Sequence, residues 1–304
     1  MRFLILFIAT FMFAQDIIPI HKVKYDEQKA FLGKKLFTDK ILSKDRSVAC
    51  VSCHSFKEGG AEHRQFSIGA LGRVDKPMNS QTVYNSTFNI AFFWNGRAQN
   101  LKEQALMAIT DHNELSMTSK EVEKRLNSNL VYKNLFNKIY HKKYITIDMV
   151  LDSIAEFEKA LITLDSKFDL YLKNEVTLSK KELKGYQLFK RYGCIVCHNG
   201  VNIGSNSFQK IGVVVQDYNM PRGLDRYEVT KDSDDKYVYK IPTLRNIALT
   251  APYFHDGSVK TLKEAISKMG YYNLGIILKK DDINNIESFL KTLTGKKPKI
   301  LEVP

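Results

Sequence analysis

The sequence predicts a mainly α-helical protein built from two domains with long loops. Its 304 residues are about twice the length of an average domain. Hydrophobic residues make up 44% of the chain and charged residues 26%, a balance that excludes collagen-like and disordered proteins. Apolar residues recur mostly with helical spacing, and one five-residue cysteine motif occurs in each half. These observations together predict two related helical domains.

Apolar residues follow helical spacing in seven segments. They are 26–37, 101–109, 119–127, 147–164, 179–192, 262–269 and 281–292. Thr118 and Thr146 are expected N-caps, and Ser179 with Glu182 has the pattern of a capping box. The segments 59–77 and 199–235 lack this periodicity, so we expect them to be long loops that carry function.

The polar and charged segment 165–178 is the expected boundary between the two domains. The first domain then covers residues 15–165 and the second covers residues 166–304, whose last residues can pack back on the first domain. Because each domain carries one cysteine motif near its beginning, we interpret the chain as a loose internal duplication.

The first residues have the pattern of an export signal. An uncharged, apolar segment, 3–13, follows Arg2 and precedes Ala14. A helix needs about 20 residues to span a bilayer, so this shorter segment predicts a signal peptide at residues 1–14. An uncleaved membrane anchor is the alternative. We therefore expect the mature protein outside the cytoplasm.

All four cysteines belong to two copies of the pattern C-x-x-C-H, at 50–54 and 194–198. Two thiols three positions apart can add to the two vinyl groups of a haem, and the adjacent histidine then binds the iron. The sequence therefore predicts two covalently bound c-type haems. Their attachment residues are Cys50, Cys53 and His54 for the first haem and Cys194, Cys197 and His198 for the second.

Two other interpretations of these cysteines fit less well. Thioredoxin-like redox pairs need a βαβ context, whereas the flanking segments have helical patterns. A zinc site made of both pairs needs a separation of about 15–20 residues. Here Cys53 and Cys194 are 141 positions apart.

The second axial position of each iron indicates its role. A filled position is typical of electron transfer, and an open position allows chemistry at the iron. Met220 and Met269 are the thioethers that follow the second motif. Since Met269 lies on the apolar face of 262–269, both iron ligation and core packing are open for it. His63 and His112 lie near the first motif, but an isolated histidine is a weak prediction of a ligand.

Five further segments resemble those of bacterial di-haem cytochrome c peroxidases. They are NSQTVYN at 79–85, FWNGRA at 93–98, LKEQA at 101–105, PTLRN at 242–246 and APYFHDG at 251–257. The resemblance covers nearly all of the mature length. It implies two cytochrome c-like domains, the first peroxidatic and the second electron-transferring. It also implies a periplasmic enzyme that reduces hydrogen peroxide to water with electrons from a small soluble donor, either a monohaem cytochrome c or a copper protein.

The resemblance also implies roles for the residues around the haems. His54 is then the protein ligand of the peroxidatic iron, and His198 with Met269 is the axial pair of the second iron. Trp94 is similar to a residue between the haems that assists electron passage, although interface packing also explains it. His255 is similar to a histidine near the edge of the second haem.

Further residues are similar to those of the peroxide pocket and of a cation site. Gln104 and Glu114 match the polar pair over the peroxide. Asn79 and the carbonyl groups of Thr250 and Pro252 match a calcium site between the domains, because amide and carbonyl oxygens suit that hard cation. The resemblance therefore implies one calcium ion besides two haem c groups.

The chain departs from the family at one position. Members that rest inactive carry an iron-binding histidine directly after Ser-x-Gly, whereas this chain has Ala70 after Ser67-Ile68-Gly69. Alanine cannot bind iron. We therefore expect a permanently open peroxidatic iron, with ligation by His63 as the alternative.

Two other functions are open from the sequence. One is a di-haem electron-transfer cytochrome without peroxidase activity. The other is a di-haem enzyme that oxidises a partner protein, but such enzymes carry a tyrosine where Met269 stands. The net charge of +13 indicates an acidic redox partner, and nucleic acid is not expected outside the cytoplasm. The resemblance further implies a homodimer.

Overall fold

The computed structural model describes residues 17–74, 78–216 and 223–302. The expected signal peptide, 1–14, and Met220 lie outside these ranges. The fold is mainly α, as the sequence predicts. Within the described ranges the helices are α1 (Glu27–Thr38), α2 (Cys50–Cys53), α3 (Leu101–Thr110), α4 (Ser119–Asn127), α5 (Leu130–Tyr140), α6 (Ile147–Ala160), α7 (Lys167–Leu172), α8 (Lys180–Arg191), α9 (Tyr227–Thr230), α10 (Leu262–Leu274) and α11 (Lys280–Lys291).

One small sheet accompanies the helices. Strands β1 (Phe208–Lys210) and β2 (Val238–Lys240) pair antiparallel, with Phe208 opposite Lys240. No helix in the described ranges combines the length and apolar composition that a membrane span requires.

Two hydrophobic cores form on equivalent helix pairs. Helices α1 and α6 pack in the first core, and α8 and α11 pack in the second. Each pair meets at a glycine, since a Cβ atom on Gly33 would lie 1.9 Å from the Ser153 oxygen and one on Gly185 would lie 1.9 Å from the Asn285 oxygen. Only glycine allows two backbones to approach this closely. The repeated contact is what an internal duplication predicts.

Both ends of the described chain contact the other core. Ile17 belongs to the second core, and the Ile20 N–H donates to Asp169 Oδ1 at 3.0 Å. Ile300 belongs to the first core, and its carbonyl accepts from Lys34 Nζ at 3.0 Å. Contacts at both ends of the described chain thus connect the two cores.

All seven predicted helices are present. The helix expected at 262–269 continues to Leu274, and the segment 199–235, expected to be a loop, contains β1 and α9. The helix expected at 147–164 ends at Ala160, because Leu161 has a non-helical ψ of 47°. The sequence did not predict α5, whose first residues, Leu130 and Val131, are exposed and obscure its apolar face. The segment 165–178, expected to be a boundary, contains α7.

Candidate functional site

Both cysteine motifs adopt a single tight turn. Residues Cys50–Cys53 form α2, and Cys194–Val196 form a 3₁₀ turn. In each motif the histidine N–H donates to the carbonyl of the first cysteine at 3.0 Å, His54 to Cys50 and His198 to Cys194. None of the four cysteines is in a disulfide. The turn therefore holds two unpaired thiols and a histidine together, as thioether attachment of a haem requires.

The two motif histidines are neutral. Burial lowers the pKa of His54 and of His198 to about 4, because the imidazolium is disfavoured away from water. Neutral imidazole is the form that binds iron. The thiols and rings of both motifs therefore fit a covalently bound haem.

A large cleft opens beside the first motif. It has a volume of about 1560 Å³, its open mouth included. Its lining includes Cys50, Cys53 and His54 of the first motif. It also includes Gln104 and Glu114, which the resemblance assigns to the peroxide pocket, and Trp94, which the resemblance places between the haems. Much of the remaining lining is apolar, including Phe37, Val83 and Ile109, and this surface suits a porphyrin.

Glu114 lies in the loop after α3, and two hydrogen bonds of its backbone stabilise this loop. Its N–H donates to the Asp111 carbonyl at 3.1 Å, and its carbonyl accepts from the Ala70 N–H at 2.7 Å. The side chain is 39% exposed because it faces the open cleft. Burial within the cleft walls raises the pKa of Glu114 to about 7, although Arg97 opposes the rise and Asp111 adds to it.

Arg97 is a polar residue of the site that sequence reasoning missed. Its guanidinium lies 3.7 Å from Glu114 Oε1 and 3.6 Å from Asp111 Oδ2. It also stacks on the Phe93 ring at 3.4 Å from the centroid. The residue lies in the 93–98 segment that carries the resemblance, which is the signal that could have identified it.

The histidines considered as further ligands do not line the cleft. His63 is exposed, and its Nε2 lies 3.2 Å from the Leu249 carbonyl. His112 is exposed and contacts Arg73. His54 is the one histidine among the described residues that line the cleft.

Aromatic side chains connect the cleft to the second half of the chain. The Trp94 indole N–H donates to the Asn79 carbonyl at 2.8 Å. Its ring meets His255 edge-on at 6.3 Å and Tyr239 edge-on at 6.4 Å. His255 in turn stacks on Tyr239 at 4.3 Å between centroids. Trp94 therefore lines the first haem cleft and also contacts residues of the second half of the chain.

Met269 lies on α10, as its helical pattern predicts, and is half-buried. Ala265 and Ile266 of the same helix join Ile195 of the second cysteine motif in the second core. The helix that carries Met269 thus packs in the same core as that motif. Its role as an iron ligand stays a prediction.

The residues expected to bind calcium lie on neighbouring segments. Asn79 is buried, its N–H donates to the His255 carbonyl at 2.8 Å, and its side-chain amide donates to the Gln65 carbonyl at 3.2 Å. Thr250 and Pro252 lie a few residues before His255. Across the described ranges, no group of three or more His, Cys, Asp or Glu is arranged to hold a metal ion. A cation here would rely on neutral oxygens.

Several known proteins are similar to this chain. A sequence profile described as di-haem cytochrome c peroxidase matches residues 27–177. The chain is 43% identical to the cytochrome c551 peroxidase of Nitrosomonas europaea, over 93% of this chain and 85% of the relative. It is 42% identical to the cytochrome c551 peroxidase of Pseudomonas aeruginosa, over 94% and 84%. Its fold matches a solved MauG-like protein associated with microbial copper homeostasis, with a TM-score of 0.80, 26% identity and coverage of 91% and 93%.

Proposed function

Because the chain belongs to the di-haem cytochrome c peroxidase family, an oxidoreductase family that acts on hydrogen peroxide, we propose that it is a periplasmic enzyme that reduces hydrogen peroxide to water. Its electrons come from a small soluble redox protein, a monohaem cytochrome c or a copper protein. The observation that carries the proposal is the cleft in which the first haem motif, Gln104 and Glu114 meet.

The residues at the cleft have separate roles in this proposal. When bound, the first haem would supply the iron at which peroxide is reduced. In this proposal Cys50 and Cys53 would hold the haem covalently, and neutral His54 would bind its iron. Gln104 and Glu114 line the same cleft as His54.

Glu114 handles the protons. Its carboxylate accepts a proton from the inner peroxide oxygen and returns it to the outer oxygen, while Gln104 holds the peroxide by a hydrogen bond. Two electrons and two protons then convert one hydrogen peroxide into two waters. A pKa of about 7 suits Glu114 to act first as base and then as acid. Arg97 keeps that pKa from rising further.

In this proposal His198 and Met269 would hold the iron of the second haem, which would supply electrons to the first site. The contacts among Trp94, His255 and Tyr239 provide an aromatic connection between the halves. These contacts support a place for Trp94 between the haems. The basic chain, with a net charge of +13, favours an acidic donor.

We expect the first iron to be open at rest. Ala70 stands where resting members of the family carry a histidine, and His63 lies outside the cleft. The fully oxidised protein should therefore show a high-spin signal by absorption and EPR spectroscopy and should bind cyanide. His63→Ala should leave both results unchanged.

The same spectra separate the alternatives. A high-spin signal that appears only after partial reduction would contradict the open pocket. Cyanide and peroxide that bind neither haem in any redox state would favour an electron-transfer cytochrome instead.

We also propose that calcium binds Asn79 and the carbonyl groups of Thr250 and Pro252. Because these ligands are neutral, binding should be weak and exchangeable. A chelator should lower the rate of peroxide reduction, and Ca²⁺ should restore it better than Mg²⁺. Asn79→Asp adds a ligand charge and should raise the calcium affinity, whereas Asn79→Ala should lower it. A chelated protein with full activity and no calcium by elemental analysis would argue against the site.

The proposed enzyme is a homodimer, as the family resemblance implies. Light scattering should then give twice the mass of the mature chain. A monomeric mass at micromolar concentration would argue against the dimer.

A further inference from the structure

Lys240 is a buried cation at the junction of the two halves. It ends strand β2 in the second half and is 1% exposed. Its N–H donates to the Trp94 carbonyl at 2.8 Å, so its backbone is fixed against the wall of the first haem cleft. A buried ammonium group is costly unless an anion faces it.

Among the described residues, no carboxylate pairs with this ammonium group. Its Nζ donates to the neutral Gln81 Oε1 at 2.9 Å. Burial alone lowers the pKa of Lys240 to about 7, with no acidic neighbour to raise it. The buried ammonium group of Lys240 therefore lacks an anionic partner among the described residues.

The neighbouring Gln81 also has a buried hydrogen-bond donor that lacks an acceptor. The residue lines the first haem cleft, and its Nε2 is buried without a hydrogen-bond partner in the described structure. A buried donor without an acceptor is rare in folded proteins. The Lys240 ammonium group, which donates to the neutral Gln81 Oε1, therefore lies beside the unpartnered Gln81 Nε2, and Gln81 lines the cleft.

The acidic residues that line the cleft in the described part of the chain do not supply the missing acceptor. Glu114 and Asp111 face Arg97. Glu158 accepts from Ser86 Oγ at 3.5 Å, and burial raises its pKa to about 8, which leaves it largely protonated at neutral pH. Among the described residues that line the cleft none supplies this acceptor, whereas a carboxylate of the group bound in the cleft would.

We infer that Lys240 and Gln81 together bind one propionate of the haem attached to Cys50 and Cys53. The inference rests on the haem attachment that the proposed function requires. A propionate is a carboxylate that accepts several hydrogen bonds, and a charge-assisted bond to an ammonium group is among the strong ones. Because Lys240 belongs to the second half, it contributes a positive charge to the haem of the first half. A positive charge beside a haem favours its reduced form.

A redox titration of the purified holoprotein tests this inference, with each haem followed by its own absorption bands. Lys240→Met should lower the equilibrium constant for reduction of the first haem at least tenfold, equal to a fall of about 59 mV for one electron. The second haem should change less. Gln81→Leu should shift the first haem in the same direction by a smaller factor. Lys236→Met is the matched control, since Lys236 is exposed four residues earlier, and it should leave both potentials unchanged.

An unchanged first-haem potential in Lys240→Met would overturn the inference, and so would an equal shift of both haems. If Lys240→Met does not assemble with two haems, Gln81→Leu decides, because it changes no charge; an unchanged potential there would also overturn the inference. The titration uses no peroxide. A shifted potential in a protein without peroxidase activity would therefore retain the inference and reject the proposed function, whereas unchanged potentials in an active protein would reject the inference alone.

Discussion

Glu114→Gln should reduce the rate of peroxide reduction by about 10²- to 10⁴-fold, the range that a positioned acid–base group contributes. The variant should still carry both haems, because Glu114 lines the cleft without belonging to either cysteine motif. Glutamine keeps the size of the side chain but cannot carry the proton between the two peroxide oxygens. The measurement is single-turnover oxidation of the reduced protein by peroxide.

The protonation state of Glu114 predicts how the rate of peroxide reduction changes with pH. Glu114 must be a carboxylate to accept the first proton, and its pKa is about 7. The wild-type rate should therefore fall as the pH drops through about 7, and Glu114→Gln should lose this dependence. Arg97→Gln removes the charge that lowers the pKa of Glu114, so the fall should begin at a higher pH.

Glu175→Gln is the matched control, since it removes the same charge at an exposed position outside the cleft. It should leave both the rate and the pH profile unchanged. A wild-type rate in Glu114→Gln, or a pH profile that survives the substitution, would remove Glu114 from the mechanism.

Arg245→Met should lower the free energy of unfolding by about 3–5 kcal/mol, because it leaves a buried carboxylate without its partner. Arg245 is 1% exposed and Asp169 is fully buried, and they form two hydrogen bonds of 2.9 and 3.0 Å. The guanidinium also donates to the carbonyl groups of Val201 and Ile18. One ion pair thus joins α7, the loop after the second cysteine motif and the N-terminal segment.

Guanidinium-induced unfolding followed by circular dichroism checks this prediction. Lys231→Met is the control, since it breaks the exposed Lys231–Glu228 pair and should cost at most about 1 kcal/mol. The double variant Asp169→Asn with Arg245→Met should be less destabilised than the sum of the single variants. Single variants as stable as the control would show that the pair does not hold these segments together.

The sequence predicts helices best where local signals mark their ends. The helix at 119–127 has the predicted bounds because Thr118 and Glu121 form a capping box, and Ser179 starts α8 in the same way. Helix α7 has a local cap, since Ser166 Oγ accepts from the Asp169 N–H, but its six residues are too few to show an apolar period. Its buried Asp169 also depends on Arg245, 76 positions away. No local pattern carries that information.

The same contrast holds for the site residues: some are predicted from the sequence, and others depend on contacts in the fold. The cysteine spacing predicts the haem motifs, and the resemblance to a family adds Gln104 and Glu114. Arg97 and Lys240 escape prediction since their contacts depend on the fold: Arg97 faces Glu114 17 positions later, and Lys240 reaches Gln81 across 159 positions.

The most direct test of the central claim is steady-state peroxide reduction by the purified di-haem protein, with reduced monohaem cytochromes and copper proteins as donors. We expect two donor molecules to be oxidised for each hydrogen peroxide consumed. With an acidic donor the rate should fall as salt rises, because the Debye length shrinks from about 30 Å at 0.01 M to about 8 Å at 0.15 M. A protein that carries both haems, accepts electrons from these donors and still consumes no peroxide would contradict the account.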